Sequence, residues 1–117
     1  MRILVVEDEW LIALGIEKVL ISSGLSIAGT CGSVRSALSL IAAKSCDVAV
    51  LDANLGGESA EPVADALYAS GIPFVVVSGY ASSQRPGRLA TAPFVRKPFK
   101  PPELLQIVHQ LATGCGH

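Results

Sequence analysis

Asp47-Val48-Ala49-Val50-Leu51-Asp52-Ala53-Asn54 is the stretch that decides how the rest of the chain is read. Val48 to Leu51 is a short apolar run with β-branched members, the pattern of a strand buried on both faces. A carboxylate, Asp52, follows at once, and after it comes the loop Asn54-Leu55-Gly56-Gly57. In an open parallel sheet, ligands bind just beyond the carboxyl ends of the strands. An acid at that edge is placed for chemistry, whereas one in mid-strand would be a buried, unpaired charge. A helix cap or a plain loop residue is the other reading of Asp52, and this stretch alone leaves both open.

On either side, strand-like and helix-like patterns alternate. Upstream, Arg2 to Val6 is predicted as a strand. Trp10 to Ile21 is predicted as a helix with Ile12, Ile16, Val19 and Leu20 on its inner side, stopped by Gly24. Leu25 to Thr30 is a modest strand, and Ser33 is expected to cap a helix in which Val34, Ala37, Leu38, Ile41 and Ala42 recur at helical spacing. Downstream, Ser59 to Ser70 reads as a helix with Ala60, Val63, Ala64 and Leu67 inward, and Pro73 to Ser78 as a second doubly buried strand. Pro86-Gly87 breaks any helix over residues 81–92 and leaves one turn around Arg88 to Thr91. Phe94 to Arg96 is a short fifth strand. Pro101 and Pro102 open the last helix, where a missing N–H costs little, and its inner face is Leu104, Ile107, Val108 and Leu111. Lys100, just before it, offers no acceptor for the first turn. Five β–α units with no linker and no repeat predict an α/β fold, a parallel sheet with helices on both faces.

With 117 residues, 50% of them apolar and 16% charged, the chain has the composition of one folded domain with its own core. The expected division is a domain over residues 1–113 and a flexible tail over 114–117. No apolar run approaches the ~18 residues of a membrane span. The apolar opening is no secretory signal either, because Glu7, Asp8 and Glu9 interrupt it. Cys31, Cys46 and Cys115 show no metal-ligand spacing, and an odd count suits a reducing, cytoplasmic setting. Residues 1–84 hold four Lys/Arg against nine Asp/Glu, while residues 85–117 hold five against one. That balance gives no reason to expect direct nucleic-acid binding. A basic face built from Arg85, Arg88, Arg96, Lys97 and Lys100 suits an acidic protein partner or a merely solvated surface.

The polar residues at the carboxyl ends of the predicted strands are Glu7-Asp8, Asp52, Ser78 and Lys97. In a parallel sheet these ends share one edge, so an acid pair, an acid, a hydroxyl and an ammonium converge there. Acids so placed repel one another unless a cation sits among them, and hard oxygen ligands with room for water suit Mg²⁺ (or Mn²⁺). With the ion bound, Asp52 is placed to act as a nucleophile towards a phosphoryl group, with Ser78 and Lys97 neutralising charge on the transferred oxygens. Taken singly, Glu7-Asp8 could favour the start of a helix, Ser78 could bond backbone, and Lys97 could be solvated. Agreement of four strand ends on one edge favours the joint reading.

The chain resembles the receiver domain of two-component response regulators over nearly its whole length. The marks are Val5-Val6-Glu7-Asp8-Glu9, Val50-Leu51-Asp52-Ala53-Asn54-Leu55, Val77-Ser78-Gly79 and Phe94-Val95-Arg96-Lys97-Pro98-Phe99. The resemblance implies a flavodoxin-like (βα)5 fold with strand order 2-1-3-4-5. It implies that Asp52 accepts phosphate from a sensor histidine kinase or phosphotransfer protein. Asp8 and Asp52 would bind Mg²⁺, with Asn54 giving a backbone carbonyl and Glu7 acting through water. Ser78 would hydrogen-bond the phosphoryl group, Lys97 would pair with it, and Lys97-Pro98 would be a cis peptide, which X–Pro tolerates.

A narrower resemblance, to single-domain regulators named for a Phe-Ala-Thr-Gly-aromatic motif, rests on three stretches. They are Asn54-Leu55-Gly56-Gly57-Glu58, Pro62-Val63-Ala64-Asp65-Ala66-Leu67 and Gly71-Ile72-Pro73-Phe74 with Ser78-Gly79-Tyr80. It implies a bacterial, alphaproteobacterial signalling setting. Val76-Val77-Ser78 stands where Phe-Ala-Thr is usual, and Ser78 keeps the hydroxyl. Phe94 occupies the family's switch-aromatic place without a tyrosine hydroxyl, and plain core packing is its other role. Tyr80 would cover the pocket mouth or meet a partner. The fourth helix is expected to be short or replaced by a Pro-Gly loop beside Arg85, Arg88 and Lys100, and that loop to shift when Ser78 and Lys97 close on phosphate.

The function expected is therefore a phosphoacceptor receiver that signals by protein contacts, without an output domain in these residues and as a monomer or weak dimer. It would be no enzyme beyond its own phosphorylation and dephosphorylation. The alternative is a phosphorylation-independent binding module with a vestigial acidic pocket. A turnover phosphohydrolase is disfavoured because Asn54 stands where a second acid is needed. A dinucleotide-binding domain lacks its Gly-x-Gly-x-x-Gly after the first strand.

Overall fold

The computed structural model describes residues 1–43, 46–79 and 87–113, with residues 88 and 90 described by backbone alone. The strands β1 (Arg2–Val6), β3 (Val48–Asp52) and β6 (Phe74–Ser78) are apolar nearly throughout, and β3 and β6 are buried at every position. Strands of this composition have no solvent face, so they take the middle of a sheet covered on both sides. Two flanking strands complete the sheet, β2 (Ser26–Cys31) beside β1 and β7 (Phe94–Arg96) beside β6. All the pairings are parallel and the order is β2-β1-β3-β6-β7. Numbered within that sheet alone, this is the 2-1-3-4-5 order of the flavodoxin-like fold.

Alternate residues of each strand point to opposite faces, and the two cores follow that period. Leu4, Val6, Leu51 and Val76 pack under α2 (Val34–Ala42) and α3 (Glu61–Ala69). Ile3, Val5, Val50 and Val75 pack under α1 (Trp10–Ser22) and α4 (Pro101–Ala112). Among the described residues no helix is long and apolar enough to cross a membrane.

The predicted boundaries hold to within a residue or two. The stretch expected as a plain loop after β3 instead forms a two-stranded antiparallel hairpin, β4 (Asn54–Leu55) with β5 (Glu58–Ser59), which takes in Ser59, and α3 starts at Glu61. Gly56 and Gly57, at φ 61° and 90°, make its two-residue turn. Both central positions of such a turn need positive φ, which glycine adopts without the Cβ penalty. Helix faces differ in detail as well. In α1 the buried residues are Ala13, Ile16 and Leu20, with Ile12 and Val19 partly covered. Leu38 and Ala42, expected inside, turn outward on α2. Ser33 caps α2 as predicted, its hydroxyl accepting from the Ser36 amide at 3.1 Å. Lys100 precedes α4 with no side-chain cap.

Between β6 and β7 the described residues hold a single 3-10 turn, Gly87–Ala90, where the sequence predicted one turn in place of a fourth helix. Residues 80–86, and the tail 114–117 with Cys115, lie outside the described residues. Lys97-Pro98 is cis.

Candidate functional site

Four strands deliver the site. β1 runs into Glu7 and Asp8, β3 ends on Asp52, β6 ends on Ser78, and β7 runs into Lys97. Because all four point the same way, their carboxyl ends share one edge of the sheet. The ladder extends into the site: the Ala53 amide donates to the Val77 carbonyl at 3.1 Å, and the Lys97 amide to the Ser78 carbonyl at 2.8 Å. The second bond sets the start of the Lys97 side chain beside Ser78, itself 1% exposed.

Lys97 Nζ bridges two acids, donating to Glu7 Oε1 at 2.9 Å and to Asp52 Oδ2 at 3.1 Å. Both acids are buried, Glu7 at 3% and Asp52 at 6% exposure. The Asn54 amide completes Asp52 by donating to Oδ1 at 3.2 Å, and the Glu9 amide donates to Glu7 Oε2 at 3.2 Å. Asp8 is exposed, and its Oδ2 accepts from the Gly56 amide at 3.0 Å. One oxygen from each of Glu7, Asp8 and Asp52 lies within 4.8 Å of the others, close enough for a single cation. A pocket of about 300 Å³ opens over them, lined by Asp8, Glu9, Asp52, Asn54, Gly79 and Lys97.

The charges follow from burial and proximity. Burial, helped by the hydrogen bond with Asp52, pushes the Glu7 carboxyl up to about 7 from 4.5. Burial alone would disfavour the Lys97 ammonium, but its hydrogen bonds and attraction to Glu7 and Asp52 outweigh that and hold it above the ordinary lysine value. Lys97 therefore stays charged across the physiological range and screens two acids from each other. Cys31 and Cys46 are no part of this chemistry, since burial raises both thiols, Cys31 to about 11.

The structure thus brings Glu7, Asp8, Asp52, Ser78 and Lys97 to one rim. Glu7 is paired directly with Lys97. Asn54 sits beside them, half-buried, its side-chain oxygen accepting from the Gly57 amide at 2.9 Å. Phe94 is half-buried against the core beneath α2 and α3, while Arg96 and Lys100 are exposed. Tyr80, Arg85 and the side chain of Arg88 lie outside the described residues.

The donor from Gly56 to Asp8 was missed in the sequence, although a Gly-Gly pair between Asn54-Leu55 and Glu58-Ser59 is a hairpin signal. Also missed is the outward apolar start of α1. There Trp10 is 76% and Leu11 66% exposed, and Trp10 shares a second pocket with Glu7 and Asp8. Its signal was an apolar pattern running around the helix beyond one stripe.

Residues 3–109 match the family model of the response regulator receiver domain. The chain belongs to the response regulator receiver family. The receiver is similar to SdrG from Sphingomonas melonis Fr1, at 38% identity and TM-score 0.83, with 95% of each chain covered. The receiver domain of PhyR from Erythrobacter litoralis aligns at 26% identity and TM-score 0.81, over 96% of this chain and 89% of that one. In fold alone, the receiver also matches the signal receiver domain of a modulated diguanylate cyclase from Desulfovibrio desulfuricans G20. That match has TM-score 0.85 and 20% identity, covering 97% and 94% of the two chains. Comparison with curated proteins returns no match.

Proposed function

We propose that this receiver takes a phosphoryl group onto Asp52 from a phosphohistidine of a sensor histidine kinase or phosphotransfer protein, and passes the signal on by protein contacts. The observation that carries this reading is the Lys97 ammonium held between Glu7 and Asp52, beside Asp8, at the mouth of an open pocket. An ion-paired structural lysine needs one acid. Two acids on one amine with a third beside them, at the end of the central strand, suit a site that must take in further negative charge.

The residues present fit a divalent ion: Glu7, Asp8 and Asp52 supply hard carboxylate oxygens within reach of one another. Asp8 and Asp52 would hold Mg²⁺ (or Mn²⁺), with the Asn54 carbonyl and, through water, Glu7 completing the set. When bound, the ion neutralises charge on the phosphoryl oxygens. Asp52 uses its carboxylate oxygen as nucleophile on phosphorus; the new O–P bond forms as the P–N bond to the donor imidazole breaks. Lys97, freed from Asp52 Oδ2, pairs with the incoming oxygens, and the Ser78 hydroxyl donates to them. Trp10 and Leu11, exposed beside Asp8 and Glu9, offer apolar contact to a donor protein reaching over that mouth. Val76-Val77-Ser78-Gly79-Tyr80 is, in this reading, a variant of the Phe-Ala-Thr-Gly-aromatic motif. The setting is the bacterial cytoplasm, with a downstream protein target and no direct nucleic-acid contact.

The test is incubation with acetyl phosphate and Mg²⁺ followed by intact-mass measurement. A gain of one phosphoryl group is expected, lost in Asp52→Ala and lost on chelation. Labelling that survives in Asp52→Ala, or needs no divalent ion, sinks the reading. SdrG has a structure described as BeF3-activated, so beryllofluoride is the stable mimic to use alongside.

A further inference from the structure

The β4–β5 hairpin is tied to the site at its tip and to the β6–β7 connection at its base. At the tip, the Gly56 amide donates to Asp8 Oδ2 at 3.0 Å. A backbone N–H on a carboxylate is a charge-assisted bond, among the stronger kinds. In the middle, Leu55 is 2% exposed in the core and gives the hairpin a fixed pivot. At the base, Ser59 Oγ accepts from the Glu61 amide at 3.1 Å, and the Ala60 amide bonds the Ala53 carbonyl at 3.1 Å. Glu61, in the first turn of α3, then lays its carboxylate against the backbone of Gly87. A Cβ at Gly87 would collide with Glu61 Oε2, and the φ of 52° there excludes most side chains independently. Leu89, fully buried beside α3, keeps the 3-10 turn in place under that contact.

The tip bond and a divalent ion draw on the same carboxylate. An ion among Glu7, Asp8 and Asp52 pulls Asp8 electron density away from Gly56 or takes Oδ2 outright. Gly56 and Gly57 carry no side chains, and the turn's other bond, from the Gly57 amide to Asn54 Oδ1 at 2.9 Å, lies within the hairpin and moves with it. We infer that metal occupancy at Asp8 releases the hairpin tip, and that the hairpin, pivoting on Leu55, carries this through Ser59 and Glu61 to the 3-10 turn at Gly87. The two arrangements are the tip bonded to Asp8 and the tip free, the discrete pair that a coupling claim requires. The route is separate from the one through Ser78 and Lys97, and it reports the ion before any phosphoryl group arrives. It rests on the reading above that Asp8 and Asp52 hold Mg²⁺.

The experiment is an Mg²⁺ titration of the ¹⁵N-labelled full chain, without phosphodonor, followed amide by amide. The Gly56 amide proton is expected to move to higher field as its bond to Asp8 goes. Amides of residues 87–90 should shift with the same midpoint. In Glu61→Ala the Gly56 response should remain and the response at 87–90 be lost; in Ser59→Ala the latter should be weakened. Suppose Mg²⁺ perturbs the Asp8 and Asp52 amides but leaves Gly56 still, or residues 87–90 respond as strongly in Glu61→Ala. The inference then fails while the phosphoacceptor reading stands. If no amide at Asp8 or Asp52 responds at any Mg²⁺ concentration, both fail together.

Discussion

Two connections leave the centre of the sheet side by side, one after β3 and one after β6, and they are secured differently. The first, from Asp52 to Glu61, is bonded along its length: Ala53 to Val77, Asn54 to Asp52, Gly56 to Asp8, Ser59 to Glu61 and Ala60 to Ala53. The second, from Ser78 to Phe94, is anchored in its described part by one buried side chain, Leu89, by the Glu61 contact at Gly87, and by the Val76–Pro93 backbone bond at its return. Among the described residues, the β3 connection is thus bonded directly to acids of the site, at Asp52 and Asp8, whereas the β6 connection meets Glu61 at Gly87 and packs into the core through Leu89.

The sharpest attempt to break this contrast is Leu89→Ala. Emptying a fully buried leucine site costs about 2–5 kcal/mol, read from urea unfolding, and here it should also loosen the 3-10 turn Gly87–Ala90. A loss no larger than that of an exposed substitution would mean the connection is held by something else. Next comes Lys97→Met, which leaves Glu7 and Asp52 facing each other without their cation. Part of the lysine reaches solvent, so the cost should be about 2 kcal/mol at pH 8, below the range for a fully buried pair. It should be smaller at pH 5, where Glu7 carries a proton, and saturating Mg²⁺ should recover part of it.

Smaller again is Gly56→Ala, which puts a Cβ on a residue at φ 61° and should cost about 1–2 kcal/mol. An unchanged melting temperature would show that the hairpin tip is not held as described. The last test follows the pH dependence contributed by Glu7. The native carboxyl titrates at about 7 against 4.5 ordinarily, so between those values the folded state keeps a proton that the unfolded state has released. Stability from this group is full at the acid end and falls as pH rises through the window, levelling above 7. Calorimetry of Glu7→Gln should show a flatter profile over that window than the parent. A parallel profile would place the Glu7 carboxyl near its ordinary value.

Much of this was legible beforehand because the signals are local. Val48 to Leu51 and Phe74 to Val77 are doubly apolar runs, and a strand with no polar face has to lie inside a parallel sheet. Ser33 caps and Gly24 stops for reasons contained within a few residues. The site was legible for a topological reason: parallel strands bring their carboxyl ends to one edge, so Asp52, Ser78 and Lys97 could be grouped without knowing a single distance. The hairpin at Gly56-Gly57 was not read, because helical spacing from Ala60 onward hid the turn before it. The outward-facing Trp10 and Leu11 were not read either, since α1 is apolar nearly all round and periodicity alone does not choose which side faces the sheet.

By itself the amino-acid order determined the five strands of the main sheet, the helices between them, and which ionisable groups stand at the strand ends, since propensity, period and chain direction are properties of short segments. Only the tertiary structure decided that Lys97 sits between Glu7 and Asp52, that Gly56 bonds Asp8, and that Glu61 rests on Gly87. Each joins residues far apart in the chain, and their partners are chosen by the packing of whole elements against one another.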